Sequence, residues 1–184
     1  HIDAFQAVRP FERVIVWGRN PDAARECAEY ALGAGCAHVE VAASVAAAAA
    51  DADVICTVTG SPTAILFGRD VRKGTHLCLV GASIPRSREV DDDLVALSRY
   101  FVDYRGSALA QAGELLDAIK AGRVTEAHIL GEIGDVLSGA VPGRLADDDV
   151  TVYKSLGVAA QDLVSALVVY RHALERGLGA AVEL

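Results

Sequence analysis

Between Arg13 and Asp103 the chain alternates short apolar runs with longer amphipathic stretches. Arg13-Val-Ile-Val-Trp17, His38-Val-Glu-Val-Ala42, Asp53-Val-Ile-Cys-Thr-Val58, Thr75-His-Leu-Cys-Leu-Val80 and Tyr100-Phe-Val-Asp103 are each bounded by turn residues. Their length and β-branched content are those of strands buried in a parallel sheet. Helical patterns fill the intervals. His1–Arg9 reads as the tail of a helix ended by Pro10. Asn20, Pro21 and Asp22 supply an N-cap, a first-turn proline and an acid at the positive end of the dipole, and that helix should end near Gly33 and Gly35. Ser44 starts an alanine-rich helix ending near Asp51, in which the run Ala46–Ala50 reads as a tightly packed crossover helix. A further helix is expected from Asp91 to Ser98.

Strands alternating with helices at this spacing imply βαβ units. The expected fold class is therefore α/β, a Rossmann-like, mostly parallel sheet with flanking helices. From Ser107 to Val141 the pattern turns helical and irregular. A short strand follows at Thr151, and Lys154-Ser155-Leu156-Gly157 opens a long final helix. Leu156, Ala160, Leu163, Leu167, Tyr170 and Leu174 form one apolar face of it, and Val158, Val164, Val168 and Val169 a second patch. Arg171, His172 and Arg176 precede Gly177 and Gly179, a well-formed helix end. One small sheet cannot cover that much apolar surface, so this helix is expected to pack on something outside the chain. The corresponding division is 1–150 for a partial dinucleotide-binding domain and 151–184 for a returning strand and helix.

With 184 residues and 52% apolar content, the chain is long enough for one real core. A net charge of −8 argues against nucleic acid or an anionic membrane as partner. No apolar run approaches a membrane span, and no basic-then-apolar signal segment opens the chain. Cys27, Cys36, Cys56 and Cys78 are scattered, without a C-x-x-C pair or a histidine at metal-ligand spacing. No metal is expected, and the pattern suits free thiols in a reducing cytoplasm. Methionine is missing at position 1 as everywhere else, which reads as a C-terminal piece of a longer protein.

Two segments carry the chemistry. Leu77-Cys-Leu-Val-Gly-Ala-Ser-Ile-Pro-Arg-Ser-Arg-Glu-Val-Asp91 is a strand breaking into a Gly-Ala-Ser turn, and Thr151-Val-Tyr-Lys-Ser-Leu-Gly-Val-Ala-Ala-Gln-Asp-Leu163 is a strand running into the last helix. With Val16-Trp-Gly-Arg-Asn20, Cys56-Thr-Val-Thr-Gly60 and Gln111-Ala-Gly-Glu114 in order, they resemble the ornithine cyclodeaminase/mu-crystallin family of nicotinamide-dependent enzymes over nearly the whole chain. The resemblance places the family's glycine-rich phosphate loop, and its N-terminal substrate and dimerisation domain, upstream of His1. A homodimer through that domain is what it implies.

The same resemblance assigns the site. Arg19 stands where a guanidinium would meet a 2′-phosphate, or is a solvated surface charge, and Trp17-Gly18-Arg19-Asn20 holds no acid to favour the free ribose; NADP is the expected cofactor, with NAD open. Asn20 caps its helix whether or not it touches phosphate. Thr57, Val58 and Thr59 offer backbone and hydroxyls to the crevice, or simply end a strand. Gly81, Ala82 and Ser83 would lie beside nicotinamide and substrate, unless Ser83 is a turn residue only. Ser155 and Leu156 would lie near the nicotinamide end, where free N–H groups at the helix start could meet an anionic or carbonyl group and Ser155 also reads as an N-cap. Arg86, Arg88, Glu89 and Asp91 read as a solvated loop and helix start, and Glu114 and Glu132 as structural. Cyclodeaminases of this family typically carry an aspartate where this chain has Ser83, whereas ketimine reductases resembling mu-crystallin share Gly-Ala-Ser. A hydroxyl does not ionise near neutral pH. Reduction of a small cyclic imino acid such as pyrroline-2-carboxylate is therefore expected. Ornithine cyclodeamination, an alanine-dehydrogenase-like reaction, and a non-catalytic ligand-binding role remain as alternatives.

Overall fold

The structure is a computed structural model and describes residues 1–180 and 182. Helix α1 (Ile2–Val8) leads to β1 (Arg13–Val16), α2 (Pro21–Gly33) and β2 (His38–Val41), in which the two strands pair in parallel. The start of α2 is as its sequence implies. The Asn20 side chain accepts the Asp22 N–H at 3.0 Å, and Pro21 fills the first turn. Ala24, Ala28 and Ala31 form its buried stripe. Beyond Gly33 the chain turns through Gly35 at φ +94°, a conformation that favours glycine.

Helix α3 (Val45–Ala49) is capped by Ser44, whose Oγ accepts the Ala47 N–H at 3.1 Å. It is a crossover helix, but a loosely seated one. Only Ala49 is buried, whereas Ala46, Ala47 and Ala50 face solvent. A five-residue helix turns just one edge toward the core, so the alanine run is not tightly packed along its length.

Five strands make the main sheet: β3 (Val54–Thr57), β4 (His76–Leu79), β5 (Arg99–Val102), β6 (Ile129–Glu132) and β7 (Thr151–Lys154). Their order is β3-β4-β7-β5-β6, all parallel. The strand of the 151–184 segment thus sits in the middle of the sheet; Ala181, Glu183 and Leu184 of that segment lie outside the described residues. Strand β6 falls inside the stretch expected to be helical and irregular. Its signal, Ile129-Leu130 followed by Gly131, is brief, and its pairing with β5 shifts register between Tyr100 and Phe101.

The period of two along each strand sorts the side chains. Leu77, Leu79, Tyr100, Val102 and Val152 point to one face. There they meet Leu94 and Val95 of α4 (Asp92–Leu97), Ala108 of α5 (Arg105–Gln111), and Leu115 and Ala118 of α6 (Gly113–Lys120). Burying each leucine contributes roughly 1.5–3 kcal/mol, which makes this layer the main support of the strand ends. A short α7 (Ile133–Leu137) follows β6.

The last helix, α8 (Ala159–Arg176), starts three residues later than its sequence suggests. β7 runs through Lys154, the Ser155 N–H continues the ladder onto Leu79 O at 3.0 Å, and Gly157 at φ +86° then breaks the extended chain. Ser155 is therefore not an N-cap; that position belongs to Val158. Leu163, Leu167, Tyr170 and Leu174 are exposed by 42–71%, and Val164, Val168 and Val169 are exposed as well. The apolar surface of α8 is uncovered by the sheet, as its amount implied. Among the described residues, no helix is long and apolar enough to cross a membrane.

Candidate functional site

Parallel strands all end on one edge, so the loops after β3, β4, β5 and β7 meet there. Such an edge is where open α/β sheets bind ligands. The contacts between exits are direct: Val80 N–H to Thr57 O at 2.9 Å, Ser155 N–H to Leu79 O at 3.0 Å, and Asp103 N–H to Lys154 O at 3.2 Å. Three of the expected site segments, Thr57–Thr59, Gly81–Ser83 and Ser155–Leu156, are thereby brought together. Arg19 and Asn20 are not tied to them; they follow β1 in the separate two-stranded sheet, where Arg19 is exposed and Asn20 caps α2.

Glu89 organises the first two exits. Its side chain is fully buried, contrary to the expected solvated loop. It accepts the Thr57 hydroxyl at 2.7 Å, the Thr59 N–H at 2.6 Å, the Thr59 hydroxyl at 2.7 Å and the Gly81 N–H at 2.9 Å. Four donors satisfy a carboxylate that would otherwise be costly to bury. Its own backbone is held because Glu89 O accepts from Ile65 and Leu66 N–H. The hydroxyls of Thr57 and Thr59 therefore point at Glu89 and do not stand free toward the crevice. What remains exposed there is Val58, at 59%, with Ile84 at 42% beyond the neighbouring exit. Asp91 and Arg88 complete the same loop. Asp91 caps α4 by accepting the Leu94 N–H at 3.0 Å, and Arg88 pairs with Asp92 and Asp117.

Lys154 and Glu114 lie beneath the second exit. Lys154 lies two residues beyond Val152 on β7 and so faces the same helical layer, where Glu114 sits in the first turn of α6. Both side chains are fully buried, with Nζ 2.8 Å from Oε1, and Nζ also donates to Ala82 O at 2.5 Å. Burial raises the Glu114 pKa, and the charge and hydrogen bond of Lys154 oppose that shift. Glu114 is paired inside the core, and its partner Lys154 lies forty residues away in the chain, beyond the reach of any local pattern.

Asp103 holds the third exit. Its Oδ2 accepts the Leu156 and Gly157 N–H groups, each at 2.6 Å, and its Oδ1 accepts the Tyr104 N–H at 2.8 Å. The backbone donors that sequence offered to a ligand at Leu156 are thus already engaged. An acid at the end of the run Tyr100-Phe-Val-Asp103 was the available signal. Asp103→Ala is expected to leave those donors unpaired, costing about 1–3 kcal/mol. It should also raise amide exchange at Leu156 and Gly157, measured by hydrogen–deuterium exchange.

Ser83 is exposed just past the Gly81-Ala82 turn. Among the described residues no group of three His, Cys, Asp or Glu side chains could hold a metal ion. A dinucleotide suits the edge better. Exposed Val58 and Ile84 give flat apolar contact, and the neighbouring loops carry backbone polar groups.

The profile of the ornithine cyclodeaminase/mu-crystallin family matches residues 1–177. Mouse ketimine reductase mu-crystallin is 39% identical over 170 residues, which cover 92% of this chain and 50% of the relative. The Thermococcus litoralis Δ1-pyrroline-2-carboxylate reductase, solved with NADH and L-proline, superposes with a TM-score of 0.91 at 30% identity, over 97% of this chain and 55% of that one. The Paracoccus denitrificans iminosuccinate reductase, solved with NAD+, gives 0.90 at 34% identity, over 98% and 55%. The chain spans about half the length of the relatives it matches. The parallel exits, the Gly81-Ala82-Ser83 turn and the Lys154-Ser155-Leu156-Gly157 exit are thus found together in a chain that belongs to the ornithine cyclodeaminase/mu-crystallin family.

Proposed function

We propose that the chain is the cofactor-binding part of a nicotinamide-dependent reductase acting on a small cyclic imino acid such as pyrroline-2-carboxylate. The observation that carries this reading is Ser83, an exposed hydroxyl at the exit of β4 where a proton-transferring carboxylate would serve deamination. Relatives named as ketimine and pyrroline-2-carboxylate reductases support it. When bound at this edge, the nicotinamide supplies the hydride. The chain's own part is to hold the ring and substrate in place. Glu89 keeps the Thr57–Thr59 and Gly81 backbones together, Asp103 keeps Leu156 and Gly157 in place, and Ser83 offers a hydrogen bond to the substrate. Val58, Ala82, Ser155 and Leu156 are the surfaces proposed to meet the cofactor. The test is NADPH or NADH consumption with the cyclic imine, in the protein at the full length of its relatives. No consumption of either would refute the reading.

The unpaired edges of β1 and β3 leave room in the architecture for one more parallel strand. In this reading the relatives' preceding half supplies it together with the phosphate loop. That half would also cover α8 and form a homodimer. A reducing, cytoplasmic setting keeps Cys56 and Cys78, which stand in register on β3 and β4, as thiols.

Cofactor choice rests on Arg19. The exposed guanidinium after β1 is proposed to meet a 2′-phosphate, giving NADPH preference over NADH. Arg19→Asp puts a like charge there and should weaken NADPH about tenfold or more, since one lost charge-assisted contact is worth roughly 1.5–3 kcal/mol. NADH should change little. Titration of both cofactors by fluorescence reads this directly; equal affinities before and after would remove Arg19 from the site.

A further inference from the structure

The Lys154 ammonium does more than neutralise Glu114. It donates to Ala82 O, at the turn that carries Ser83. Among the described residues no peptide bond is cis, so the carbonyl of Ala82 and the N–H of Ser83 point in opposite directions across one planar unit. Drawing the carbonyl inward onto a fully buried ammonium turns the Ser83 N–H outward, to the exposed side of the turn. Among the described residues that N–H meets no acceptor, in contrast to the N–H groups of Gly81, Ser155, Leu156 and Gly157, which are all engaged.

We propose that Lys154, anchored by Glu114, is a positioning residue that aims the Ser83 N–H at a carbonyl or carboxylate oxygen of the bound ligands. This rests on the reductase reading for the identity of those ligands. Two sources carry such an oxygen, the nicotinamide carboxamide and the substrate carboxylate. The ion pair supplies rigidity: with Glu114 holding Nζ from α6, the ammonium cannot follow the turn if the turn relaxes. A preorganised donor costs no reorganisation on binding.

Removing Lys154 alone leaves a buried carboxylate and risks unfolding. The informative variant is therefore Lys154→Met combined with Glu114→Met, which removes both charges at similar volume. In the protein at the full length of its relatives, the double variant is expected to melt close to the unmodified protein yet bind one ligand at least tenfold more weakly. If the carboxamide is the acceptor, affinity for NADPH falls while that for 2′-phospho-ADP-ribose, which lacks nicotinamide, stays unchanged. If the substrate carboxylate is the acceptor, KM for the cyclic imine rises with cofactor affinity unchanged. In the unmodified protein, the Ser83 amide resonance should shift on adding that same ligand and not on adding 2′-phospho-ADP-ribose. A double variant that binds all three ligands normally, a parallel loss of NADPH and 2′-phospho-ADP-ribose affinity, or a Ser83 amide that no ligand moves would each overturn the proposal. If the unmodified protein reduces no imine but the double variant still selectively loses NADPH affinity, the substrate reading fails and this one stands.

Discussion

Glu89→Ala is expected to be the most damaging single substitution at the strand exits. It would strand the hydroxyl of Thr57, the N–H and hydroxyl of Thr59 and the N–H of Gly81, all of which meet in one buried carboxylate. Leaving buried donors unpaired costs about 1–3 kcal/mol each, so Tm should fall by roughly 10 °C. Glu89→Gln keeps the shape and one acceptor oxygen but turns an amide N–H2 toward donors, and should fall between. Dinucleotide affinity should drop in the same order, because both exits move when the tie is cut. Gly81 gives an independent check on the same geometry. A Cβ there would fall against the Thr59 backbone, far inside van der Waals contact, and 2.5 Å from Glu89 Oε1. Gly81→Ala must therefore push the two exits apart. Thermal melts and cofactor titration of the three variants are the measurement; a Glu89→Ala protein as stable as the unmodified one would show that the carboxylate holds nothing.

The second large effect concerns reaction choice. Pyrroline-2-carboxylate should be reduced, while ornithine should release ammonia at least about a hundredfold more slowly, general acid–base assistance being typically worth 10²–10⁴. Cyclodeamination needs a group that takes and returns protons as the amine is oxidised, the ring closes and ammonia leaves. Imine reduction asks less at this position, because the substrate nitrogen can arrive protonated and a hydroxyl need only hold it. Ser83 can donate or accept a hydrogen bond but carries no charge near neutral pH. The comparison is ammonia and proline formed from ornithine, set beside NADPH consumed with the cyclic imine. Fast ornithine deamination would show that the proton-transferring group lies elsewhere and that Ser83 does not decide the reaction.

What the sequence determined by itself is everything written in near neighbours. The five expected strands all appear, four of them shortened by a residue or two and the fifth shifted by one, because apolar runs between turn residues specify burial locally. The caps at Asn20, Ser44 and Asp91 were legible because a side chain and the N–H it satisfies lie two or three residues apart. The excess apolar surface of α8 could be counted from its spacing, and the family motifs are contiguous. Tertiary structure alone decided the polar scaffold of the site. Glu89 meets Thr57 and Thr59 across 32 and 30 positions, Asp103 meets Leu156 across 53, and Lys154 reaches Ala82 across 72. A charged residue in a loop reads as solvated until its donors are known, which is why Glu89 looked exposed. The start of α8 was misplaced for a related reason. Ser155 is an acceptable N-cap in isolation, yet a ladder bond to Leu79 on β4 keeps it extended. Pattern reports whether a segment is buried or capped. Which buried charge meets which donor depends on the order of parallel strands, and that order is set by the packing of the whole sheet.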